Sequence, residues 1–160
     1  MEDSLSIVFA MIVALILMFF VPLVDTWELQ DNLSYVVTYA AVTDFVDTVR
    51  NTGYVSLEVY SSFLTRLAAT GNTFDVTMEH REFNEDIDAY LNTYTNTIEA
   101  TINSGNKYKL DKYDYFYVTV KNTNKTQASV VNSFVSSSDA TNFKIGVSYG
   151  GVVWSVRDEL

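Results

Sequence analysis

From Leu5 to Val24 the chain reads LSIVFAMIVALILMFFVPLV, a run whose only non-apolar members are Ser6 and Pro22. At about 1.5 Å per residue, a helix of that length spans ~30 Å, the thickness of a bilayer's hydrocarbon core. A helix buried in a soluble core seldom stays apolar over such a length. A cleaved secretory signal fits no better, because it needs a positive n-region, a shorter apolar core and a small-residue cleavage site. Here the start is Met1-Glu2-Asp3-Ser4, the first Lys or Arg is Arg50, and the run closes with Val24-Asp25-Thr26-Trp27. The segment is therefore expected to stay in the working protein. Acids flank it on both sides (Glu2 and Asp3; Asp25, Glu28 and Asp31), so flanking positive charge does not orient it. Either a basic leader precedes this numbering or the orientation signal is weak.

Helical spacing continues beyond the run, from Thr26 to Arg50. Leu29, Leu33, Val36 and Ala40 form one stripe and Tyr35, Tyr39, Val42, Val46 and Val49 an adjoining one, with Asp31, Asp44 and Asp47 largely away from both. Asn51-Thr52-Gly53 supplies a stop. The prediction is one long helix, apolar in its first half and amphipathic in its second, which Pro22 bends or opens locally. Residues 1–25 are read as a membrane anchor or filament core, and 26–160 as the helix continuation plus a globular head.

The rest of the chain has enough apolar surface for that head: the sequence is 48% hydrophobic, with 11 Tyr and 10 Phe, and a single Pro and six Gly leave no linker. A net charge of −10 argues against nucleic-acid partners, whose phosphates such a surface repels. The absence of Cys removes disulfides, thiolate catalysis and cysteine-type zinc sites.

Within the head, Ser56 is placed as the N-cap of a helix carrying Leu57, Tyr60, Phe63, Leu64 and Leu67. Phe74 to Arg81 alternates as a half-buried strand with Phe74, Val76 and Met78 on one face. A second helix is expected from Asn84, with Ile87, Tyr90, Leu91, Tyr94, Ile98 and Ile102 on its apolar face and Gly105 at its end. Tyr113 to Val120 reads as a central strand, and 125–135 as a short helix through Val130, Val131 and Phe134. Two strands follow, carrying Phe143 to Tyr149 and Val152 to Val156, with Gly150-Gly151 as a hairpin turn. The fold class is α+β: a long N-terminal helix packed on a small antiparallel sheet with short helices.

Candidate chemistry is sparse. His80, the only histidine, is placed on the polar face of its strand, as a surface residue between Glu79 and Arg81. No G-x-S-x-G, P-loop or H-E-x-x-H pattern occurs. Glu79, Glu82, Glu85, Asp86 and Asp88 form an acidic bunch whose spacing does not fit an EF-hand loop, so it reads as a solvated face. The stretch with Tyr108, Tyr113, Tyr115 and Tyr117 reads as core and interface rather than a carbohydrate platform. No enzyme, metal or cofactor is predicted.

Assembled, these features resemble the type IV pilin superfamily, and more narrowly the small pilin-like proteins of Tad/Flp-type loci in Gram-positive bacteria. The residues that carry the resemblance are the early acid (Glu2 or Asp3), the run Leu5 to Val24 with Pro22, and the amphipathic Thr26 to Arg50. It covers the first fifty residues. The acid lies nearer the terminus than in most pilins, and no basic leader is visible. The resemblance implies a structural subunit of an extracellular filament at the cell surface. Such a subunit is stored in the membrane and extracted by an assembly machine with an ATPase, then polymerised with copies of itself. Its interface would begin with Glu2 and Asp3 and continue through Leu5, Val8, Phe9 and Ile12. Leu15, Ile16, Phe19, Phe20, Pro22 and Leu23 would complete it. A buried Glu2 or Asp3 would need a partner such as a neighbour's terminal amine, or else a proton. The alternative is a single-pass, membrane-anchored surface binding module or minor pilin-like component that does not itself polymerise.

Overall fold

The computed structural model describes residues 2–84, 89–136 and 145–154. Helix α1 runs from Glu2 to Thr52, 51 residues, or roughly 75 Å at 1.5 Å per residue. It stays helical through Pro22. It stops where predicted: Gly53 takes φ +75°, a left-handed conformation that glycine adopts without strain. Its N–H bonds the Val49 carbonyl at 2.8 Å. After the two-residue strand β1 (Tyr54–Val55), the Ser56 hydroxyl accepts the Val59 N–H at 3.3 Å and opens α2 (Leu57–Ala68).

The main sheet is antiparallel, with β2 (Phe74–Asn84), β3 (Ala89–Tyr94), β5 (Tyr115–Asn122) and β6 (Gly146–Val152) in the order β3-β2-β5-β6. Strand β4 (Tyr108–Lys109) pairs separately with β1. Helices α3 (Thr95–Asn103) and α4 (Gln127–Ser136) complete the head. The α+β architecture, the long helix and the central place of β5 are as expected.

Two elements differ from the sequence expectation. Ala89 to Tyr94 is a strand hairpinned onto β2, and the helix starts only at Thr95. Tyr, Thr and Asn are weak helix formers, and the edge of β2 offers a ladder that the isolated sequence pattern does not reveal. Ile98 and Ile102 are fully buried on α3 as predicted, whereas Tyr90, Leu91 and Tyr94 are exposed on β3. Gly150 and Gly151 do not turn the chain but lie inside β6, opposite Tyr117 and Phe116. A Cβ on Gly150 would come within 2.3 Å of the Tyr117 ring and 2.6 Å of the Phe116 carbonyl oxygen. A Cβ on Gly151 would come within 2.9 Å of the Arg50 guanidinium carbon. Close approach, and not a turn, is what these glycines serve. The predicted helix start at 85–88, Phe143 and the strand end at 155–156 lie outside the described residues.

The core forms where the upper part of α1 meets β5, β6 and α2. Val42, Val46 and Val49 are fully buried against Phe63, Met78, Phe116, Val118 and Val120. The rings of Phe45 and Phe63 stack at 4.5 Å. Arg50 then ties the helix end to the sheet. Its Nε donates to the Val152 carbonyl at 2.8 Å, its Nη1 pairs with Asp47 at 2.9 Å, and its own carbonyl accepts the Trp154 N–H at 3.1 Å.

Candidate assembly surface on the N-terminal helix

Burial on α1 divides the helix sharply. From Leu5 to Leu23 every residue is exposed, Leu5 to 74% and Phe19 to 75%. The predicted interface residues Leu5, Val8, Phe9, Ile12, Leu15, Ile16, Phe19, Phe20 and Leu23 therefore ring a bare apolar rod and are not gathered on one face. Glu2 and Asp3 lie in its first turn, and their side chains fall outside the described residues. The rod is long and apolar enough to cross a membrane. Among the described residues, only its upper end meets the head: Phe20, Val21 and Val24 share a groove of about 250 Å³ with Ala128 and Val131 of α4.

Above the rod the sequence reading needs a correction. Leu29, Leu33 and Val36, expected to face the head, are 69%, 62% and 60% exposed. Tyr35 and Tyr39, stacked at 6.5 Å, also face outward. The inward row is Asp31, Ser34 and Thr38, all buried, followed by Ala41, Val42 and Phe45. Asp31 was expected to point away. Instead, Thr126, the residue before α4, donates to Asp31 Oδ2 at 2.7 Å while its own hydroxyl accepts the Ser129 N–H at 3.2 Å. A carboxylate beside the N-terminus of α4 complements that helix's dipole, so Asp31 docks α4 onto α1. The outward apolar stripe from Leu29 to Tyr39 was missed as a candidate surface. The assumption that an amphipathic helix turns its apolar side to its own head hid it.

His80 is the second correction. Strand alternation puts residue 80 on the same face as Phe74, Val76 and Met78, and it is only 5% exposed. Its Nε2 lies 2.9 Å from Asp114 Oδ2, and its Nδ1 lies 2.7 Å from the Tyr108 hydroxyl. Asp114 Oδ2 also accepts the Asp111 N–H at 2.7 Å. A carboxylate oxygen that accepts takes its proton from Nε2, and in the neutral ring Nδ1 is then the acceptor of the Tyr108 O–H. Burial, above all, holds the Tyr108 hydroxyl above the ordinary tyrosine range, with Thr93 as a hydrogen-bond partner acting the other way. The chain Thr93–Tyr108–His80–Asp114 links β3, β4, β2 and the loop before β5. With the imidazole and carboxylate this enclosed, it fixes structure and offers a substrate no approach. Among the described residues no group of three or more His, Cys, Asp or Glu is placed to hold a metal.

What fold and surface define together is a class: a small α+β head carried on a helix that outruns it by an uncovered apolar rod. No family model, curated protein or solved structure matches this chain.

Proposed function

We propose that this chain is a pilin-like structural subunit. It is held in the membrane by the apolar half of α1, and after extraction by an ATP-driven assembly machine it polymerises into a filament at the cell surface. The observation that carries this reading is the outward stripe Leu29, Leu33, Val36 and Tyr39. Lipid accounts for the rod from Leu5 to Val24, which is already ~30 Å long. The stripe lies about 7–22 Å further along the helix, past the hydrocarbon core, and its own head leaves it bare. Apolar side chains that neither lipid nor head covers fit burial against other copies of the same helix, at roughly 1.5–3 kcal/mol for each large side chain fully buried.

Early acids, apolar run and Pro22 support the same reading through the pilin resemblance. The net charge of −10 keeps nucleic acid out of the proposal. The test is electron microscopy of material sheared from the native cell surface, with mass spectrometry of the chain's mature N-terminus. Filaments containing this chain are expected. Monomeric chain confined to the membrane fraction would replace the filament reading with that of an anchored surface module.

A further inference from the structure

Open sheet edges are normally guarded by a charge, a proline, a bulge or a covering element, since their free N–H and C=O groups pair with any strand that fits. At one end of this sheet β6 is guarded by α1, whose Arg50 takes the Val152 carbonyl. At the other end β3 is bonded, among the described residues, to β2 alone. Ala89-Tyr90-Leu91-Asn92-Thr93-Tyr94 has no charged residue and no Pro. It pairs one for one with β2 from Asn84↔Ala89 to Glu79↔Tyr94, so it carries no bulge. All of it except Thr93 is exposed, with Tyr90 at 51%, Leu91 at 45% and Tyr94 at 55%.

Two properties say what fits this edge. The first is charge: two copies at −10 each repel, and they approach most easily where neither presents a charge. The second is symmetry. The row on the outer face is Tyr90, Asn92, Tyr94, which reads the same in both directions about Asn92. A two-fold contact demands that kind of self-complementarity. Among the described residues the Asn92 side chain makes only a long 3.5 Å contact with the Tyr94 hydroxyl.

We propose that β3 pairs antiparallel with β3 of a second copy across a two-fold axis at Asn92, fusing two four-stranded sheets into one. Residues opposite each other in an antiparallel pair have the same orientation toward the shared edge, so a strand pairing with its own copy is centred on a residue. Centring on Asn92 sets Tyr90 of each copy against Tyr94 of the other, as cross-strand aromatic pairs. A two-fold contact closes on two copies. It is therefore separate from the repeating contact of a filament and stands whether or not α1 polymerises.

The chain has no cysteine, so Asn92→Cys introduces a single thiol. In the full chain in detergent micelles under mild oxidation, Asn92→Cys is expected to give a disulfide-linked dimer. Cα atoms paired at about 4.5–5.5 Å across a strand edge lie within disulfide reach. Ser61→Cys, on the exposed side of α2 and away from β3, is expected to form no disulfide-linked dimer. Asn92→Lys faces two ammonium groups and should weaken dimerisation at least tenfold by light scattering, with an unchanged circular dichroism melt. A monomeric wild-type chain overturns the proposal, as does Asn92→Cys cross-linking no faster than Ser61→Cys. So does a dimer that survives Asn92→Lys but is lost in Ile16→Lys, which would place the contact on α1.

Discussion

Leu33 separates assembly from folding. It is 62% exposed, so Leu33→Ala takes little from the head. The melt of the full chain in detergent should change by less than about 0.5 kcal/mol, as at other exposed positions. In a filament, a neighbour would cover the share that the head leaves bare. Full burial of Leu is worth about 1.5–3 kcal/mol, so the uncovered share represents roughly 1–2 kcal/mol. Alanine keeps one methyl group and forgoes roughly 1 kcal/mol of it, which at 1.4 kcal/mol per factor of ten raises the critical concentration about fivefold. Leu33→Lys goes further, because an unpaired ammonium in a dry contact costs several kcal/mol and should prevent polymerisation. The assay is sedimentation of filaments formed on detergent dilution, measured against total chain concentration. Leu33→Ala filaments with the wild-type critical concentration, or Leu33→Lys filaments in normal yield, would refute the claim that the stripe packs between copies.

Three further outcomes follow from the same geometry. Ile16→Lys, on the bare rod, should abolish filaments while leaving the head's thermal midpoint in place; normal filaments from it contradict a packed apolar core. Arg50→Met removes a charged hydrogen bond to the Val152 carbonyl from a side chain only 14% exposed. At about 1.5–3 kcal/mol for such a bond and 2–4 °C per kcal/mol in a chain of this size, the midpoint should fall by roughly 5–10 °C, and Arg50→Lys should recover little of it. Burial first, and then the hydrogen bond and charge of Glu99, hold the Tyr60 hydroxyl well above the ordinary tyrosine range. The unfolded chain releases that proton near pH 10 while the folded chain keeps it, so stability is full below about pH 10 and declines above it. Tyr60→Phe should flatten that decline in denaturant titrations.

How much of this was legible in the sequence depended on whether a rule was local. The long helix was, because apolar length and a Gly stop need no knowledge of partners, and α1 ends at Gly53 as read. The Ser56 cap and the centre of β5 were legible for the same reason. Gly150-Gly151 looked like a turn because the reason for two glycines, the Tyr117 ring and the Arg50 guanidinium, comes from elsewhere in the chain. β3 looked helical because its partner strand is invisible to a spacing count. His80 was within reach of the sequence: the alternation that buries Met78 also buries residue 80, and a polar residue type obscured it. Of the candidate surface, the Leu5 to Leu23 part was legible and the Leu29 to Tyr39 part was not.

That last miss exposes how α1 is built. Between Thr38 and Ala41 the helix exchanges its faces. Above, it turns Ala41, Val42, Phe45, Val46 and Val49 inward, with Asp44 and Thr48 exposed. Below, it turns Asp31, Ser34 and Thr38 inward and leaves Leu29, Leu33, Val36 and Tyr39 outside. The lower inward row is an expensive way to hold a head. The Thr38 hydroxyl is fully buried without a hydrogen-bond partner among the described residues, at a cost of about 1–3 kcal/mol. A helix selected only to carry its own head would place Leu33 and Val36 where Ser34 and Thr38 stand. Keeping the apolar side outward from Leu29 to Tyr39 gives up head stability and leaves an apolar stripe bare above the rod, from which the exposed Asp25, Thr26 and Glu28 separate it. The uncovered apolar side of the helix therefore reaches Tyr39, beyond the end of the apolar run at Val24. On the filament reading proposed above, these further turns, about four, are where neighbouring subunits would pack.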